Sequence, residues 1–249
     1  MLGNSIKELG RTVAIVQARM GSSRLPGKMM MGLCGKPLLF WVLSRVKKST
    51  LIGSVLLATS DKAEDDPLEE VAFQLHVPVF RGSENDVLGR FRKAAKSVSA
   101  EKIIRICGDN PLIAPEEIDR LVASYSSILK QGNCSERLYA FNYGPQMGNN
   151  YPDGLGGEMF SFKLLQKLDK LVLKPRHREH VCAYIWDNLD EFEIHSFQPP
   201  KEIAFPDIKL DVDTKEDLNK LNILCNQLNL ESSAVEIVKA YNKIFNKPD

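Results

Sequence analysis

The amino-acid sequence predicts an α/β fold with a largely parallel sheet covered by helices on both faces. Strand-like and helix-like segments alternate through the first half of the chain with short connections, which is typical of such folds. The segment 12–18, TVAIVQA, is a continuous apolar run, as expected of a strand that is buried on both faces. Hydrophobic residues make up 43% of the 249 residues, enough for a sizeable core. In parallel sheets, ligands bind at the carboxyl ends of the strands.

Each element of the first half has its own signal. Pro37 is well placed to open the second element, a helix whose last turn is basic. Asn85 or Asp86 is predicted to cap another helix at its N-terminus. The predicted strands share a short apolar run and lie at 12–18, 54–60, 77–82 and 102–107. The predicted helices share apolar residues at helical spacing and lie at 37–48, 61–76, 85–98 and 114–129.

After Ile128 the alternation weakens, because a stretch rich in Gly, Asn and Pro contains one short strand candidate, Tyr139–Asn142. Thr214 is expected to cap a helix, with Asp217 in its first turn. No repeat or linker divides the chain, so residues 1–249 are predicted to form one domain with a loose segment at 1–11. The remaining predicted elements are helices at 162–171, 177–188 and 234–245, a strand at 191–197, and a strand leading into the Thr214 helix.

Composition excludes several functions. Lys and Arg total 33 against 32 Asp and Glu, so the net charge of +1 gives no general attraction to nucleic acid or an anionic membrane. No apolar run approaches the ~18–20 residues that a membrane span needs. The N-terminus has no apolar signal region, and the five cysteines form no CxxC pair, which argues against disulfide bonds and zinc. We therefore expect a cytoplasmic protein without a nucleic-acid or membrane partner.

The first predicted strand is followed by a loop, QARMGSSRLPGK, that combines flexible backbone with positive charge. Two glycines allow backbone amides to approach a ligand, and Arg19, Arg24 and Lys28 suit phosphate oxygens. The spacing is neither that of a Walker A loop nor that of a GxGxxG fingerprint. The loop is either a solvated connection or an anion site, and its position at a strand end favours the anion site.

Two carboxylates follow later strands. Asp109 comes directly after the strand at 102–107, and Asp213 ends the LDVD segment, where it could share a face with Asp211. Taken separately, Asp109 could be a turn residue and Asp213 a helix cap. Together with the basic loop they indicate a site for a Mg²⁺–nucleotide complex, because Mg²⁺ needs only one or two carboxylates beside phosphate and water oxygens.

The order of the motifs resembles that of the cytidylyltransferase group that includes the spore coat polysaccharide biosynthesis protein F family. This group is similar to the CMP-acylneuraminate and CMP-3-deoxy-octulosonate synthetases. The resemblance covers about residues 12–228. The shared segments are VAIVQARMGSSRLPGK, GKPLL, LATSD, VPVFRGSENDVLGRF, RICGDNPLI, YPDGL, REHVCAYI and LDVDTKEDL.

The resemblance implies a nucleotide-diphospho-sugar transferase-like (GT-A-type) fold, a three-layer sandwich with a mixed, mostly parallel sheet. It implies transfer of CMP from CTP to a small sugar, expected to be a keto-sugar acid, with release of pyrophosphate and with Mg²⁺ as cofactor. The product would serve surface polysaccharide or glycoconjugate synthesis. A homodimer is also implied, with residues 129–160 as an acceptor or dimer arm.

The resemblance also implies roles for individual residues. The catalytic set is Arg19, Lys28, Asp109 and Asp213, of which Asp109 and Asp213 are the metal ligands. The nucleotide-binding set is Ala18, Arg19, Met20, Gly21, Ser22, Ser23, Arg24, Lys28, Arg81, Ser83 and Asp86. The substrate-binding set is Arg105, Tyr151, Asp153, Glu158, Arg178 and His180.

The sequence departs from the group's usual pattern at Asn110, Ala114, Gly89 and the pair Gly156–Gly157. The glycine pair lies in the expected acceptor loop, so this departure concerns the acceptor more than the reaction. Two alternatives stay open: a sugar-1-phosphate nucleotidyltransferase that uses another nucleoside triphosphate, and a binding protein of the same fold without turnover.

Overall fold

A computed structural model describes residues 11–132 and 136–246 of the chain. The strands are β1 (Thr12–Gln17), β2 (Gly32–Leu33), β3 (Lys36–Pro37), β4 (Ser54–Ser60), β5 (Val79–Gly82), β6 (Lys102–Cys107), β7 (Leu138–Phe141), β8 (Glu158–Ser161) and β9 (Glu193–Ser196). The helices are α1 (Leu38–Val46), α2 (Asp66–Gln74), α3 (Val87–Ser97), α4 (Pro115–Lys130), α5 (Phe162–Leu171), α6 (Pro175–Glu179), α7 (Ala183–Asp187), α8 (Lys215–Cys225) and α9 (Ala234–Phe245).

Seven of these strands form one sheet in the order β5-β4-β1-β6-β8-β7-β9. The pairs β5–β4, β4–β1, β1–β6 and β7–β9 are parallel, and β8 runs antiparallel to β6 and β7. The predicted mixed, mostly parallel sheet is therefore confirmed. Strands β2 and β3 form a separate small hairpin.

The core lies on both faces of this sheet. In β1, Ala14 and Val16 face one apolar cluster with α1, α2, α4, α8 and α9, and Val13 and Ile15 face a second cluster with α3 and α5. All four side chains are fully buried, which explains why β1 reads as an unbroken apolar run rather than an alternating one. The result is the expected three-layer arrangement.

The sequence signals for helix starts are confirmed. The Asp86 carboxylate accepts a hydrogen bond from the backbone N–H of Gly89 and caps α3. Thr214 and Asp217 form a reciprocal capping box at the start of α8. Such caps satisfy backbone donors that have no partner inside the helix, so they fix where the preceding loop ends.

Three details differ from the sequence predictions. The single helix expected at 177–188 is two short helices, α6 and α7, and the strand expected before Thr214 makes only an isolated bridge, between Asp153 and Lys209. Strand β8 was not predicted, because it is four residues long and is defined by its pairing with distant β6 and β7.

The segments predicted to be loose or extended have mixed outcomes. Residues 129–160, expected to form an arm, contribute β7 and the first residues of β8 to the central sheet. Residues 1–10 of the expected N-terminal segment and residues 133–135 of the arm lie outside the described residues. Within the described ranges, every helix is too short or too polar to cross a lipid bilayer.

Candidate functional site

The carboxyl ends of three parallel strands meet at one edge of the sheet. The backbone N–H of Gly108, just after β6, donates to the carbonyl of Gln17 at the end of β1 at 2.8 Å. The approach is so close that a Cβ at Gly108 would lie 2.6 Å from this oxygen. On the other side of β1, the N–H of Ala18 donates to the carbonyl of Ala58 in β4 at 3.4 Å. This edge positions the basic loop next to Asp109, as the strand-end rule predicts.

The conformation of the basic loop depends on a carboxylate that the sequence did not single out. Asp65 is fully buried and accepts hydrogen bonds from the Met20 N–H at 2.6 Å, the Thr59 hydroxyl at 2.9 Å and the Ser60 N–H at 3.0 Å. Burial by itself would raise the pKa of Asp65, but these hydrogen bonds outweigh it, so the pKa lies below its ordinary value. The loop then closes through the N–H of Gly27, which donates to the Met20 carbonyl at 2.9 Å.

The remaining predicted loop residues have modest roles in this structure. Ala18 is buried at the strand end, and the Ser22 hydroxyl accepts a hydrogen bond from the Leu25 N–H at 3.3 Å. Ser23 and Gly21 are exposed, and the space beside Gly21 is bounded by the carboxylate of Glu84. The loop therefore presents mainly backbone and cationic side chains to solvent.

Four predicted site residues form one charged cluster. The Lys28 ammonium donates to Asp109 Oδ2 at 2.9 Å, to the Val212 carbonyl at 2.7 Å and to Asp213 Oδ1 at 3.4 Å. Arg24 Nη1 lies 2.7 Å from Asp213 Oδ2. The two acidic segments are joined by a hydrogen bond from the Val212 N–H to the Asp109 carbonyl at 2.9 Å. The structure thus brings together Arg24, Lys28, Asp109 and Asp213.

Two further carboxylates border this cluster. Burial and the neighbouring Asp109 raise the pKa of Asp153. Burial and the neighbouring Asp153 raise the pKa of Asp211 to about 7. Asp211 Oδ1 is buried and has no hydrogen-bond partner among the described residues, and Lys209 Nζ lies 3.6 Å from Asp211 Oδ2. Of these two, Asp153 was predicted as a substrate contact, and it lies at the edge of the metal-ligand candidates.

The residues present fit a magnesium ion. Asp109 and Asp213 supply carboxylate oxygens, the ligand type that Mg²⁺ prefers. Within 11–132 and 136–246 there is no group of three or more His, Cys, Asp or Glu side chains arranged to hold a metal. A pair of carboxylates is sufficient for Mg²⁺, because the ion usually keeps several waters and takes further oxygens from phosphates.

Arg19 contacts a different part of the protein from Arg24 and Lys28. Its Nη2 lies 2.9 Å from Glu179 Oε1 at the end of α6, and its Nη1 donates to the Glu84 carbonyl at 3.5 Å. The pair is partly exposed, with side-chain exposures of 30% for Arg19 and 45% for Glu179. Sequence reasoning selected the neighbours Arg178 and His180 and missed Glu179, the residue of this segment that contacts the loop.

Arg90 is a third residue that sequence reasoning missed. It is 1% exposed in α3, and its Nη1 donates to the Ser83 carbonyl at 2.7 Å. The Nε and Nη2 groups are buried and have no hydrogen-bond partner in the described part of the chain. Burial and the nearby Arg19 lower the pKa of Arg90 to about 10. An unsatisfied buried guanidinium is costly, so this arrangement points to a missing acceptor.

Three residues of the predicted nucleotide-binding set, Arg81, Ser83 and Asp86, lie between β5 and the start of α3. Ser83 and Asp86 shape the turn before α3, where the Ser83 hydroxyl accepts from the Asp86 N–H at 3.0 Å. The Arg81 guanidinium donates to the Ser60 carbonyl at the end of β4 at 2.9 Å and to Glu69 in α2 at 2.9 Å. These contacts use its donors in this structure, and nucleotide binding by Arg81 stays a prediction.

A small cleft beside Asp109 contains two of the predicted substrate contacts. Arg105 and Glu158 are opposite each other in β6 and β8 and form an ion pair, and the Tyr139 hydroxyl also donates to Glu158. Burial raises the pKa of the Cys107 thiol to about 12, so this thiol stays protonated near neutral pH. The cleft is lined by Arg105, Cys107, Asn110, Tyr143, Gly156, Gly157 and Glu158.

Two other predicted substrate contacts, Tyr151 and Arg178, make contacts within the protein, and their role in substrate binding stays a prediction. Tyr151 is fully buried, and its hydroxyl donates to Glu117 Oε2 at 2.7 Å. Arg178 lies between Asp86 and Asp169, with its Nη2 at 2.5 Å and 2.8 Å from their carboxylates, so it joins α3, α5 and α6. His180 is exposed just after α6. Short polar motifs do not reveal such pairings, which depend on distant helices.

Comparison with known proteins shows the family. A model of the family described as cytidylyltransferase matches residues 13–240. The spore coat polysaccharide biosynthesis protein SpsF of Bacillus subtilis is 34% identical over 236 residues, which cover 92% of this chain and 93% of that protein. The structure of a cytidylyltransferase from Leptospira borgpetersenii superposes with a TM-score of 0.84 at 31% identity and covers 94% of both chains.

A more distant relative is similar over about half of each chain. The 3-deoxy-manno-octulosonate cytidylyltransferase of Lawsonia intracellularis is 35% identical over 119 residues, 46% of this chain and 45% of that protein. The strand-end site and the sheet define a nucleotidyltransferase. The chain belongs to the cytidylyltransferase family.

Proposed function

We propose that this enzyme transfers CMP from CTP to a sugar hydroxyl and releases pyrophosphate. The main support is the cluster in which Lys28 and Arg24 contact Asp109 and Asp213 at the strand edge. This arrangement supplies both cations for a triphosphate and oxygen ligands for a divalent metal. The relatives named for spore coat polysaccharide and 3-deoxy-manno-octulosonate support a sugar acceptor, and the latter supports a keto-sugar acid.

The proposal includes four further properties: the cofactor, the assembly, the compartment and the pathway. Mg²⁺ is the cofactor, supported by the carboxylate oxygens that Asp109 and Asp213 offer as metal ligands. The working assembly is a homodimer in the cytoplasm that serves surface polysaccharide synthesis, supported by the resemblance to the synthetases of this group. Size-exclusion chromatography with light scattering would test the dimer.

The chemistry follows from the positions of the charged residues. Arg19, Arg24 and Lys28 bind the triphosphate, so the leaving pyrophosphate stays against the basic loop. The oxygen of the acceptor hydroxyl in the cleft beside Asp109 then attacks the α-phosphorus in line. The bond from the α-phosphorus to the bridging oxygen of the β-phosphate breaks, and the hydroxyl proton is released to solvent. When bound by Asp109 and Asp213, Mg²⁺ would neutralise negative charge on the phosphate oxygens.

Arg90 provides a basis for the choice of nucleobase. Its two unpartnered donors, Nε–H and Nη2–H, lie on one edge of the guanidinium. Cytosine presents two adjacent acceptors, O2 and N3, whereas uracil carries a hydrogen on N3. A fork of two donors therefore suits cytosine and opposes uracil.

The deciding experiment measures pyrophosphate release with Mg²⁺, each of the four nucleoside triphosphates and a panel of sugars that includes keto-sugar acids. Asp109→Asn should lower the rate with CTP by about 10²–10³-fold, as expected for loss of a charged group at the reacting phosphate. Asp190→Asn, at an exposed position, is the matched control and should retain the wild-type rate. Equal rates for wild type and Asp109→Asn would exclude the proposed role of this carboxylate.

A further inference from the structure

Lys28 faces the two carboxylates proposed as metal ligands. It contacts one oxygen of each, Asp109 Oδ2 at 2.9 Å and Asp213 Oδ1 at 3.4 Å, and its third hydrogen bond goes to the Val212 carbonyl at 2.7 Å. Lys28 itself is 7% exposed. The ammonium is therefore an enclosed cation with all three of its donors used by the strand edge.

Lys28 is the most enclosed of the cations that compensate these carboxylates. Asp153 and Asp211 add two acidic groups beside the pair. The other cations near them are far more exposed than Lys28, because the Arg24 and Lys209 side chains are 67% and 44% exposed. Solvent weakens the contribution of such exposed charges, whereas Lys28 is enclosed together with Asp109 and Asp213, whose side chains are 28% and 16% exposed.

We propose that Lys28 occupies the position of the divalent metal until nucleotide binds, so that metal and nucleotide bind together. An ammonium and a metal ion compete for the same carboxylate oxygens. A triphosphate removes the competition, because its oxygens accept Lys28 while they also ligate the metal. The coupling is reciprocal: a metal ion bound to the carboxylates favours contact between Lys28 and the triphosphate. This inference rests on the proposed function, because it takes Asp109 and Asp213 as the metal ligands.

Binding of Mn²⁺ alone, followed by the electron paramagnetic resonance signal of free Mn²⁺, tests the inference without turnover. Lys28→Gln should bind Mn²⁺ at least about tenfold more tightly than wild type in the absence of nucleotide. Adding Asp109→Asn to this variant should remove the gain. Lys201→Gln, at an exposed position, has the same charge change and should bind like wild type.

Thermal unfolding supplies a second readout. Without metal, Lys28→Gln should unfold at a lower temperature than wild type, because its carboxylates lose their partner, and Mn²⁺ should restore its stability. Equal Mn²⁺ affinities for wild type and Lys28→Gln would overturn the inference and leave the proposed function intact. If neither protein binds Mn²⁺ even with CTP, both the inference and the metal assignment are wrong.

Discussion

Substitution of Asp65 by Asn tests whether this buried carboxylate holds the basic loop in its conformation. The side chain keeps its shape, but one oxygen becomes an NH₂ group. In the folded protein Oδ1 of Asp65 accepts from the Met20 N–H, and Oδ2 accepts from the Thr59 hydroxyl and the Ser60 N–H. Whichever of the two oxygens becomes the NH₂ group, that group then faces a backbone N–H instead of accepting from it. Loss of one or two hydrogen bonds to a buried charged group costs on the order of 2–4 kcal/mol. We expect the free energy of unfolding to fall by that amount at pH 7.

The free energies of unfolding of wild type and Asp65→Asn, measured with urea at several pH values, test whether the charge of Asp65 is responsible. The pKa of Asp65 in the folded protein lies below its ordinary value of 3.8, so its stabilising contribution is present above pH 3.8. The contribution is lost as the pH falls through the lower folded pKa. The difference between wild type and Asp65→Asn should therefore narrow in acid, because the variant has no proton to bind at this position.

The neighbouring Asp66 provides a matched control. Its carboxylate lies 2.5 Å from Arg81 Nη1 but is 58% exposed, so Asp66→Asn should cost less than about 1 kcal/mol. If Asp65→Asn is as stable as Asp66→Asn at pH 7, the loop does not depend on the buried carboxylate, and the reasoning is refuted.

Three further substitutions test other parts of the site. Arg90→Met should lower the preference for CTP over UTP about tenfold or more without lowering the melting temperature; unchanged nucleotide binding constants would contradict the proposed fork. Gly156→Ala should lower the melting temperature by about 5 °C or more, because its Cβ would lie 2.0 Å from a backbone oxygen, whereas the Gly32→Ala control meets nothing within 4 Å. Glu179→Gln should free Arg19 and lower the KM for CTP by up to about fivefold; a higher KM would show that the pair assists nucleotide binding.

Much of the fold could be predicted because the decisive signals are local. The apolar run of β1 and the caps at Asp86 and Thr214 depend on residues within one turn or one strand. Strand β8 could not be predicted in this way, since four residues acquire their conformation from β6 and β7. The prediction of one helix at 177–188 was wrong for a similar reason. The apolar spacing of the sequence continues through this segment, but the backbone turns at His180 and forms two short helices.

The site was predictable where topology alone brings residues together. The strand-end rule placed Lys28 near Asp109 and Asp213, and the structure has all three in contact. It could not predict Asp65 or Arg90, whose roles depend on side-chain contacts across the sheet edge. Arg90 lies inside the quoted motif VPVFRGSENDVLGRF, and Asp65 lies four residues after LATSD, but nothing in the sequence at either position distinguishes a buried charge from an exposed one.

The ion pair between Arg105 and Glu158 limits how the proposed acceptor cleft can change in evolution. Tyr139, Glu158 and Arg105 belong to three adjacent strands, so the hydrogen bonds between them cross the sheet below the cleft. Replacing either charged residue alone leaves its partner buried and unpaired, which is strongly destabilising. Variants that accept a different sugar are therefore expected to change Arg105 and Glu158 together. Intermediates with only one of the two changes should be eliminated because they are unstable, not because they are inactive.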